Sequence, residues 1–187
     1  MTDFIGFVNQ LSPLDSTATG DFLNNLNNKT LKKGDYLLKS GEVCRYLYFI
    51  DEGLVKTFFN KEIKEFIMRF FSENSVFTVL DSFLSQTPST YMILALEQTT
   101  VTYISKSSMD ELCRRHHSIE TFFRKLVAFA SINMMKRISE MLEENGTARY
   151  RNFVHENNQL LQRISLGDLA NYLGITQVSL SRIRPKR

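Results

Sequence analysis

The sequence predicts an α+β protein, and three observations support this fold class. Short β-rich runs fill residues 30–105, amphipathic helical patterns lie on both sides of them, and one helical pattern is much longer than the others. The chain has 187 residues, 43% of them hydrophobic, and 15 are Phe. This composition is typical of a globular protein with one large core or two small ones.

Two short amphipathic helices are predicted at the N-terminus, over residues 3–11 and 15–26. The β-rich runs that follow are separated by turn residues such as Gly34 and Gly53, where glycine supplies the turn geometry. Strands this closely spaced indicate a compact barrel or sandwich. They are expected at Leu31 and over residues 36–38, 46–50, 54–59, 65–71, 91–96 and 100–104.

A long helix is predicted after the strands. A capping-box pattern at residues 108–111 opens a short helix, and Ser118 then begins a helical stretch that ends near Asn145. At ~1.5 Å per residue this helix is on the order of 40 Å long, which exceeds what a barrel of this size needs for cover. Its narrow apolar stripe indicates a homodimer seam formed by Ile119, Phe123, Val127, Ala130, Met134, Ile138 and Met141.

A second stripe on the same helix, with Phe122, Leu126 and Phe129, is expected to pack on the barrel while the first stripe meets a partner helix. The alternative is a single helix buried against its own domain. Asn133 lies near the seam, where it either fixes the register of two helices or faces water.

The C-terminal region has the pattern of a helix-turn-helix. Ser165 and Asp168 form a capping box, Gly174 ends the first helix where a left-handed residue is needed, and Thr176 caps a second helix. The alternative is a helical hairpin that only closes a core, since helix pairs with a glycine turn are common. The side chains of the second helix that can reach base edges and phosphates are Thr176, Gln177, Ser179, Ser181, Arg182 and Arg184.

The charge distribution supports DNA binding by this region. Residues 149–187 contain seven basic and two acidic side chains, a net charge of +5, whereas the whole chain carries +3. Neutralisation of phosphates by such a module supplies most of the non-specific affinity for DNA. A basic tail can also be a solvated chain end, but here the basic residues coincide with the predicted reading face.

Other classes of function find little support in the sequence. No apolar run approaches the ~20 residues of a membrane helix and the N-terminus does not read as a signal peptide, so a cytoplasmic protein is expected. Cys44 and Cys113 are far apart and are expected to be free thiols. His116 and His117 point about 100° apart on a helix and do not suggest a metal site. No catalytic set or cofactor motif is visible, so neither an enzyme nor a bound cofactor is predicted.

Two segments in this order resemble a known family. Residues 31–42 (LKKGDYLLKSGE) and 46–56 (YLYFIDEGLVK) look like the opening of a cyclic-nucleotide-binding β-roll, and the C-terminal motif is similar to that of the CRP/FNR superfamily of transcription regulators. The resemblance implies a β-roll of the double-stranded β-helix (jelly-roll-like) type, a dimerisation helix and a winged-type helix-turn-helix. The implied domains are a sensor at residues 1–117, the dimerisation helix at 118–145 and a DNA-binding domain at 146–187.

The phosphate-binding cassette of the family's cyclic-nucleotide binders is altered in this chain. Their Gly-Glu step aligns with Thr78-Val79 and their Arg-Ser-Ala step with Ser89-Thr90-Tyr91. Val79 cannot accept a hydrogen bond from a ribose hydroxyl, and Ser89 brings no cation for a phosphate. Control by cyclic AMP in the family's usual manner is therefore not expected. The region (Phe77, Thr78, Val79, Ser89, Thr90 and Tyr91) either holds an unknown, less anionic small molecule or is plain core.

The recognition helix also departs from the family's best-known Arg-Glu-Thr-Val-Gly-Arg run. Arg182 keeps the second Arg and is the strongest candidate for contacting a guanine, while Gln177 in place of the first Arg suits adenine. Val178 in place of the Glu permits contact with a thymine methyl group. The sequence thus predicts a dimeric regulator that reads a pseudo-palindromic site in double-stranded DNA. The alternative is a β-roll that binds a ligand or a protein and has no specific DNA binding.

Overall fold

The computed structural model describes residues 3–184, and its β-rich region forms two four-stranded sheets. The helices are α1 (Asp3–Leu11), α2 (Ser16–Asn24), α3 (Leu80–Ser85), α4 (Lys106–Arg115), α5 (His117–Glu143), α6 (Gly146–Asn157), α7 (Leu166–Leu173) and α8 (Gln177–Ile183). The strands are β1 (Asn27–Leu31), β2 (Tyr36–Leu38), β3 (Tyr46–Glu52), β4 (Val55–Lys61), β5 (Lys64–Phe71), β6 (Val76–Phe77), β7 (Met92–Ala95) and β8 (Thr99–Ser105). A 3₁₀ turn at Asn158–Leu160 joins α6 to α7.

The two sheets have the strand orders β1-β8-β3-β6 and β2-β7-β4-β5, and their strand pairs are antiparallel. The β4–β5 hairpin pairs from Val55 with Phe71 to Lys61 with Lys64, with one irregularity after Thr57. Successive side chains on a strand point to opposite faces, so each sheet presents one face to the other. This antiparallel β-roll confirms the coarse fold that the sequence predicts.

The first hydrophobic core lies between the two sheets and is closed by helices. Phe4 of α1 stacks on Phe49 of β3 with ring centroids 5.0 Å apart, and Phe22 of α2 meets Phe4 edge-on at 5.3 Å. These three rings are fully buried, and each contributes about 1.5–3 kcal/mol through removal from water. The first turns of α5 join this core through Phe122 and Leu126. We call this set of side chains the inner core.

A second hydrophobic core, the outer core, lies on the other face of the β2-β7-β4-β5 sheet. Helix α7 packs against β5 on that face, α6 reaches it through the contact of Phe153 with Phe70, and α8 packs on α6 and α7. Strands β4 and β5 are therefore covered on both sides. The buried members of the outer core are Leu54, Phe58, Ile67, Phe70, Tyr150, Phe153, Leu160, Leu169, Ala170, Leu173 and Leu180.

Several local predictions differ from the structure. Helix α4 begins at Lys106 because Ser105, not Ser108, is its N-cap and accepts a hydrogen bond from the Ser108 amide at 3.0 Å. The sequence interpretation missed α3, whose N-cap Val79 forms no side-chain capping bond. The expected wing has no counterpart in residues 106–184, where the structure contains helices and turns but no strand.

Candidate DNA-reading surface and effector region

Helices α7 and α8 are bounded by the capping residues that the sequence predicts. Ser165 Oγ accepts a hydrogen bond from the Asp168 amide at 3.0 Å, and Thr176 Oγ1 accepts one from the Ser179 amide at 3.1 Å. Gly174 ends α7 with a φ of +67°, a left-handed conformation that favours glycine. Local hydrogen bonds thus fix both helix starts and the turn between them.

On α8, Arg182 lies nearly opposite the buried Leu180, whereas the other predicted reading residues lie beside it. Thr176, Gln177, Ser181 and Arg182 are exposed, and Ser179 and Arg184 are half-buried. Val178 is also exposed, at 62%. This arrangement leaves the polar face of α8 accessible to a ligand. Helix α8 is seven residues long, which is about two turns, and Thr176 precedes its first residue.

Gln177, one of the predicted reading residues, lies close to α7. A Cβ atom built on Gly167 would lie 3.1 Å from Gln177 Nε2, which places this amide over the first turn of α7. Glycine at position 167 is therefore what leaves room for the observed position of the Gln177 side chain.

Two of the seven basic residues counted in the C-terminal region are used inside the chain. Arg149 Nε donates a hydrogen bond to the Leu173 carbonyl at 2.9 Å, and its guanidinium also reaches the Glu144 carbonyl. Arg163 binds carboxylates of the β-roll. Lys186 and Arg187 lie outside the described residues. Charge counting therefore overstates the number of cations that this module offers to phosphates.

Arg137 of α5 is a contact that the sequence interpretation missed. Its guanidinium stacks on the Tyr172 ring at 3.9 Å from the ring centroid and donates a hydrogen bond to the Tyr172 carbonyl. Met141 of the same helix lies against the turn, since a Cβ on Gly174 would be 2.9 Å from its Cε. The long helix thus holds the carbonyl end of α7. In the sequence, the only indication of this contact is that a basic residue interrupts the apolar stripe of α5.

The second half of α5 presents exposed apolar side chains, and the predicted seam has to be shifted toward them. Ile119 is fully buried in the inner core, so its assignment to the seam is wrong; Phe123 is half-buried, with its ring 6.2 Å from that of Phe83. Phe129 was expected to pack on the barrel but is 57% exposed. The α5 apolar patch consists of Phe129, Ile132, Met134, Met135, Ile138, Met141 and Leu142, whereas Val127 and Ala130 are half-buried.

Asn133 lies half-buried on α5, and its Nδ2 atom is buried without a hydrogen-bond partner within residues 3–184. An unsatisfied buried amide of this kind destabilises a protein by about 1–3 kcal/mol. Because this nitrogen is buried within residues 3–184, it does not face water, and a role of Asn133 in fixing the register of two helices stays a prediction.

The residues of the altered cassette are bonded to one another and to neighbouring strands. Thr78 Oγ1 donates to the Tyr46 carbonyl at 2.9 Å and lies 3.2 Å from Cys44 Sγ. Ser89 is buried; its hydroxyl accepts from the Tyr91 amide at 2.9 Å, and its carbonyl accepts from the Gly41 amide at 2.7 Å. The polar groups of these residues thus have partners within the protein.

The apolar residues of the same region belong to the inner core or stand at its edge. Phe77 and Val79 are buried, and Tyr91 packs partly buried against them, while Thr90 is exposed. The Tyr91 ring meets Phe59 edge-on at 5.6 Å, and Phe59 stacks on Phe66 at 5.1 Å. Three aromatic rings therefore occupy this end of the β-roll, and the structure favours the plain-core interpretation there.

Two carboxylates with lowered pKa values connect the β-roll to the C-terminal helices. Hydrogen bonds from Arg163 lower the pKa of Glu73 to about 2. Burial raises the pKa of Asp168, but hydrogen bonds from Lys56 and Ser165 outweigh that effect and leave it below its usual value. Both groups therefore stay ionised at neutral pH and hold their cations.

The remaining candidate groups have structural surroundings. His116 Nε2 lies 2.8 Å from Asp21 Oδ2, and within residues 3–184 no three His, Cys, Asp or Glu side chains are grouped as metal ligands would be. Cys44 and Cys113 are free thiols, and burial raises the pKa of Cys113 to about 11. No helix in the described part of the chain is long and apolar enough to cross a membrane.

The fold and these sites define the class of the β-roll. Residues 28–116 match the family described as the cyclic nucleotide-binding domain. This match covers strands β1 to β8 and helix α4 up to its end, which is the part of the chain that the sequence resemblance assigned to a β-roll. No curated protein matches the chain in sequence.

Several solved structures, two of them described as regulators, have the same fold over most of the chain. CLP from Xanthomonas campestris, described as a c-di-GMP responsive global regulator, has a TM-score of 0.72 at 14% identity and covers 90% of this chain and 89% of its own. FixK2 from Bradyrhizobium japonicum gives 0.75 at 17% identity, with coverages of 84% and 82%. A CRP/FNR-family transcriptional regulator from Eubacterium rectale gives 0.71 at 17% identity, with coverages of 91% and 82%. This chain therefore has the CRP/FNR fold, and its residues 28–116 match the cyclic nucleotide-binding domain.

Proposed function

We propose that this protein is a homodimeric, sequence-specific DNA-binding transcription regulator of the CRP/FNR type. The observation that carries the proposal is the α7–α8 pair, with its capped helix starts, its Gly174 turn and an accessible polar face on α8. Arg182 and Gln177 on that face have the chemistry to read guanine and adenine in the major groove. The fold shared with solved regulators agrees with this function.

The α5 apolar patch supports a dimer in which residues 118–145 form the seam. Exposed Met and Ile side chains in such a stripe favour burial against a second copy. A groove of about 570 Å³ lies along the patch, where Ile132 and Met135 of α5 face Asn152 of α6, and it has room for side chains of a partner helix. Two copies related by a two-fold axis would supply the two recognition helices that a palindromic site needs. In this proposal residues 1–117 are the sensor and 146–187 the DNA-binding domain.

Regulation by cyclic AMP in the family's usual manner is not part of the proposal. Val79 and Ser89 lack the carboxylate and the cation that would hold a ribose and a cyclic phosphate. The Ser89 hydroxyl is bonded within the chain, and the Tyr91 ring packs on Phe59 beside it. An effector, where one exists, belongs to a less anionic chemical class.

The test is selection of genomic DNA fragments by the purified chain at near-physiological salt, without added ligand. We expect enrichment of a two-fold-related sequence whose half-sites lie about one helical turn apart. We also expect affinity for the selected site to fall steeply with salt, since binding releases phosphate counterions. The matched control is the Gln177→Ala, Arg182→Ala double variant, which should retain the fold and lose the enrichment.

Failure to enrich any sequence, repeated with cyclic nucleotides and with a metabolite extract, would overturn the proposal. That result would favour the alternative, a β-roll that binds a ligand or a protein while its C-terminal helices serve assembly. Arg149 and Arg163 lend this alternative some support, because their guanidinium groups stabilise the chain itself.

A further inference from the structure

Two ionic clusters lie beside the apolar side chains of the outer core, and the proposed DNA contacts do not use them. In the Lys56 cluster, Lys56 Nζ lies 2.7 Å from Glu65 Oε1 and 2.7 Å from Asp168 Oδ1. Lys56 and Glu65 belong to the β4–β5 hairpin, and Asp168 belongs to the first turn of α7. The side chain of Lys56 is only 7% exposed, and Asn171 of α7 also reaches Glu65. A strand lysine is thus buried beneath the C-terminal helices.

The Arg163 cluster joins the segment before α7 to two loops of the β-roll. Arg163 binds Glu73 through two hydrogen bonds of 2.8 and 2.9 Å, and it also pairs with Glu97. Glu73 accepts a further hydrogen bond from the Gly53 amide at 2.9 Å, which orients its carboxylate toward the guanidinium. The β-roll thereby presents two carboxylates that bind one arginine side chain.

Both clusters involve residues at the N-terminal end of α7, since Arg163 precedes this helix and Asp168 lies in its first turn. Strand β4 faces both cores, since Val55 belongs to the inner core and its neighbour Lys56 to the Lys56 cluster. Each cluster contains one cation and two carboxylates. When the C-terminal helices separate from the sheet, Lys56 stays paired with Glu65 and Arg163 becomes solvated. Neither the helices nor the β-roll must therefore unfold when the contact between them opens.

We propose that the Lys56 and Arg163 clusters form an intramolecular latch that holds the C-terminal helices on the β-roll in one orientation and opens as a unit while the β-roll stays folded. Apolar burial supplies the attraction between the two surfaces. The ionic clusters select the orientation, because a shifted docking would leave Asp168 buried without a cation and Lys56 with one of its two carboxylates. The position of α7, and of α8 packed on it, relative to the β-roll is then set by four carboxylates and two cations.

The experiment is amide hydrogen exchange on the full chain in the absence of DNA. The latch variant combines Arg163→Met with Asp168→Asn, in which the Asn side chain can still accept the hydrogen bond from Ser165. The matched control is Arg151→Met on the exposed side of α6. We expect exchange of the α7 amides to rise by about tenfold or more in the latch variant, while β3 and β8 exchange as in the wild type. The control variant should show neither change.

Two results would overturn the latch. One is α7 exchange within twofold of the wild type, and the other is an equal rise in β3 and β8, which would mean that the helices and the β-roll open only together. Exchange in β3 and β8 also reports whether the variant is folded. Because DNA is absent, a wild-type chain that fails the genomic selection leaves this result unaffected, so the two proposals fail separately. Only the accompanying expectation, weaker operator binding by the latch variant, rests on the proposed function.

Discussion

The two faces of the β2-β7-β4-β5 sheet are buried by different means. The inner face contributes Val55 and Ile93 to a core of apolar and aromatic side chains. The outer face contributes Phe58 and Phe70 to an apolar contact that is flanked by the Lys56 and Arg163 clusters. The inner core holds the β-roll together, whereas the outer core holds a separate group of helices against it. A strand shared by both cores can therefore affect helices that are more than 100 residues away in sequence, as the Lys56–Asp168 pair shows.

The strongest test of the difference between the inner core and the outer core is the change Phe49→Ala in the inner core. Phe49 is fully buried and stacked on Phe4, so its truncation should lower the free energy of unfolding by about 3–5 kcal/mol. Urea unfolding should report a global loss of stability. Ile63→Ala at the fully exposed tip of the β4–β5 hairpin is the control and should change the stability by less than about 0.5 kcal/mol. Equal effects of the two changes would contradict the assignment of the inner core.

Leu180→Ala tests the outer core in the same way. Leu180 on α8 is 1% exposed, and its truncation should cost about 2–5 kcal/mol within the C-terminal helices. Hydrogen exchange should rise in α6, α7 and α8 before it rises in the β-roll. Simultaneous loss of protection in both regions would show that the two cores form one cooperative unit.

Arg182→Ala tests the accessible surface that the outer core supports. The change should cost about 1–3 kcal/mol of binding free energy at one base pair of the selected site and relax the preference there. Binding to a panel of single-base variants measures this effect. Uniform weakening across the panel would instead assign Arg182 to a phosphate contact, and an unchanged affinity would remove it from the reading surface.

The smallest expected effect is a pH dependence of the free energy of unfolding, which arises from the ionisation of Glu73 beside the outer core. Its native pKa of about 2 is below the value of an unfolded chain, so its contribution is fully present above about pH 4.3 and is lost as the pH falls toward 2. Arg163, Glu97 and the Gly53 amide surround this carboxylate. The stability difference between the wild type and Glu73→Gln, measured by urea unfolding, should shrink over that interval. A difference that is constant from pH 6 to pH 2.5 would contradict the assignment.

Local patterns in the sequence predicted the elements whose causes are local. Helix α1 has the predicted bounds, and the caps at Ser165 and Thr176 and the left-handed Gly174 are confirmed. Helix α3 escaped prediction because it is short and lacks a side-chain cap. The seam was misplaced because the periodicity of α5 identifies an apolar stripe without saying what covers each turn. Ile119 and Met134 belong to the same stripe, yet one is buried by the β-roll and the other is half exposed.

The sequence by itself determined the closely spaced strands, the long helix and the capped α7–α8 pair, because turn chemistry, capping bonds and hydrophobic periodicity act between residues close in the chain. Only the tertiary structure decided which cations remain for a ligand. Arg149, Arg163 and Lys56 have partners 24, 90 and 112 residues away, such as the Leu173 carbonyl, Glu73 and Asp168. A charged side chain can be solvated or can form a buried ion pair, and local sequence does not distinguish the two. The docking of α7 on β5 selects between these environments.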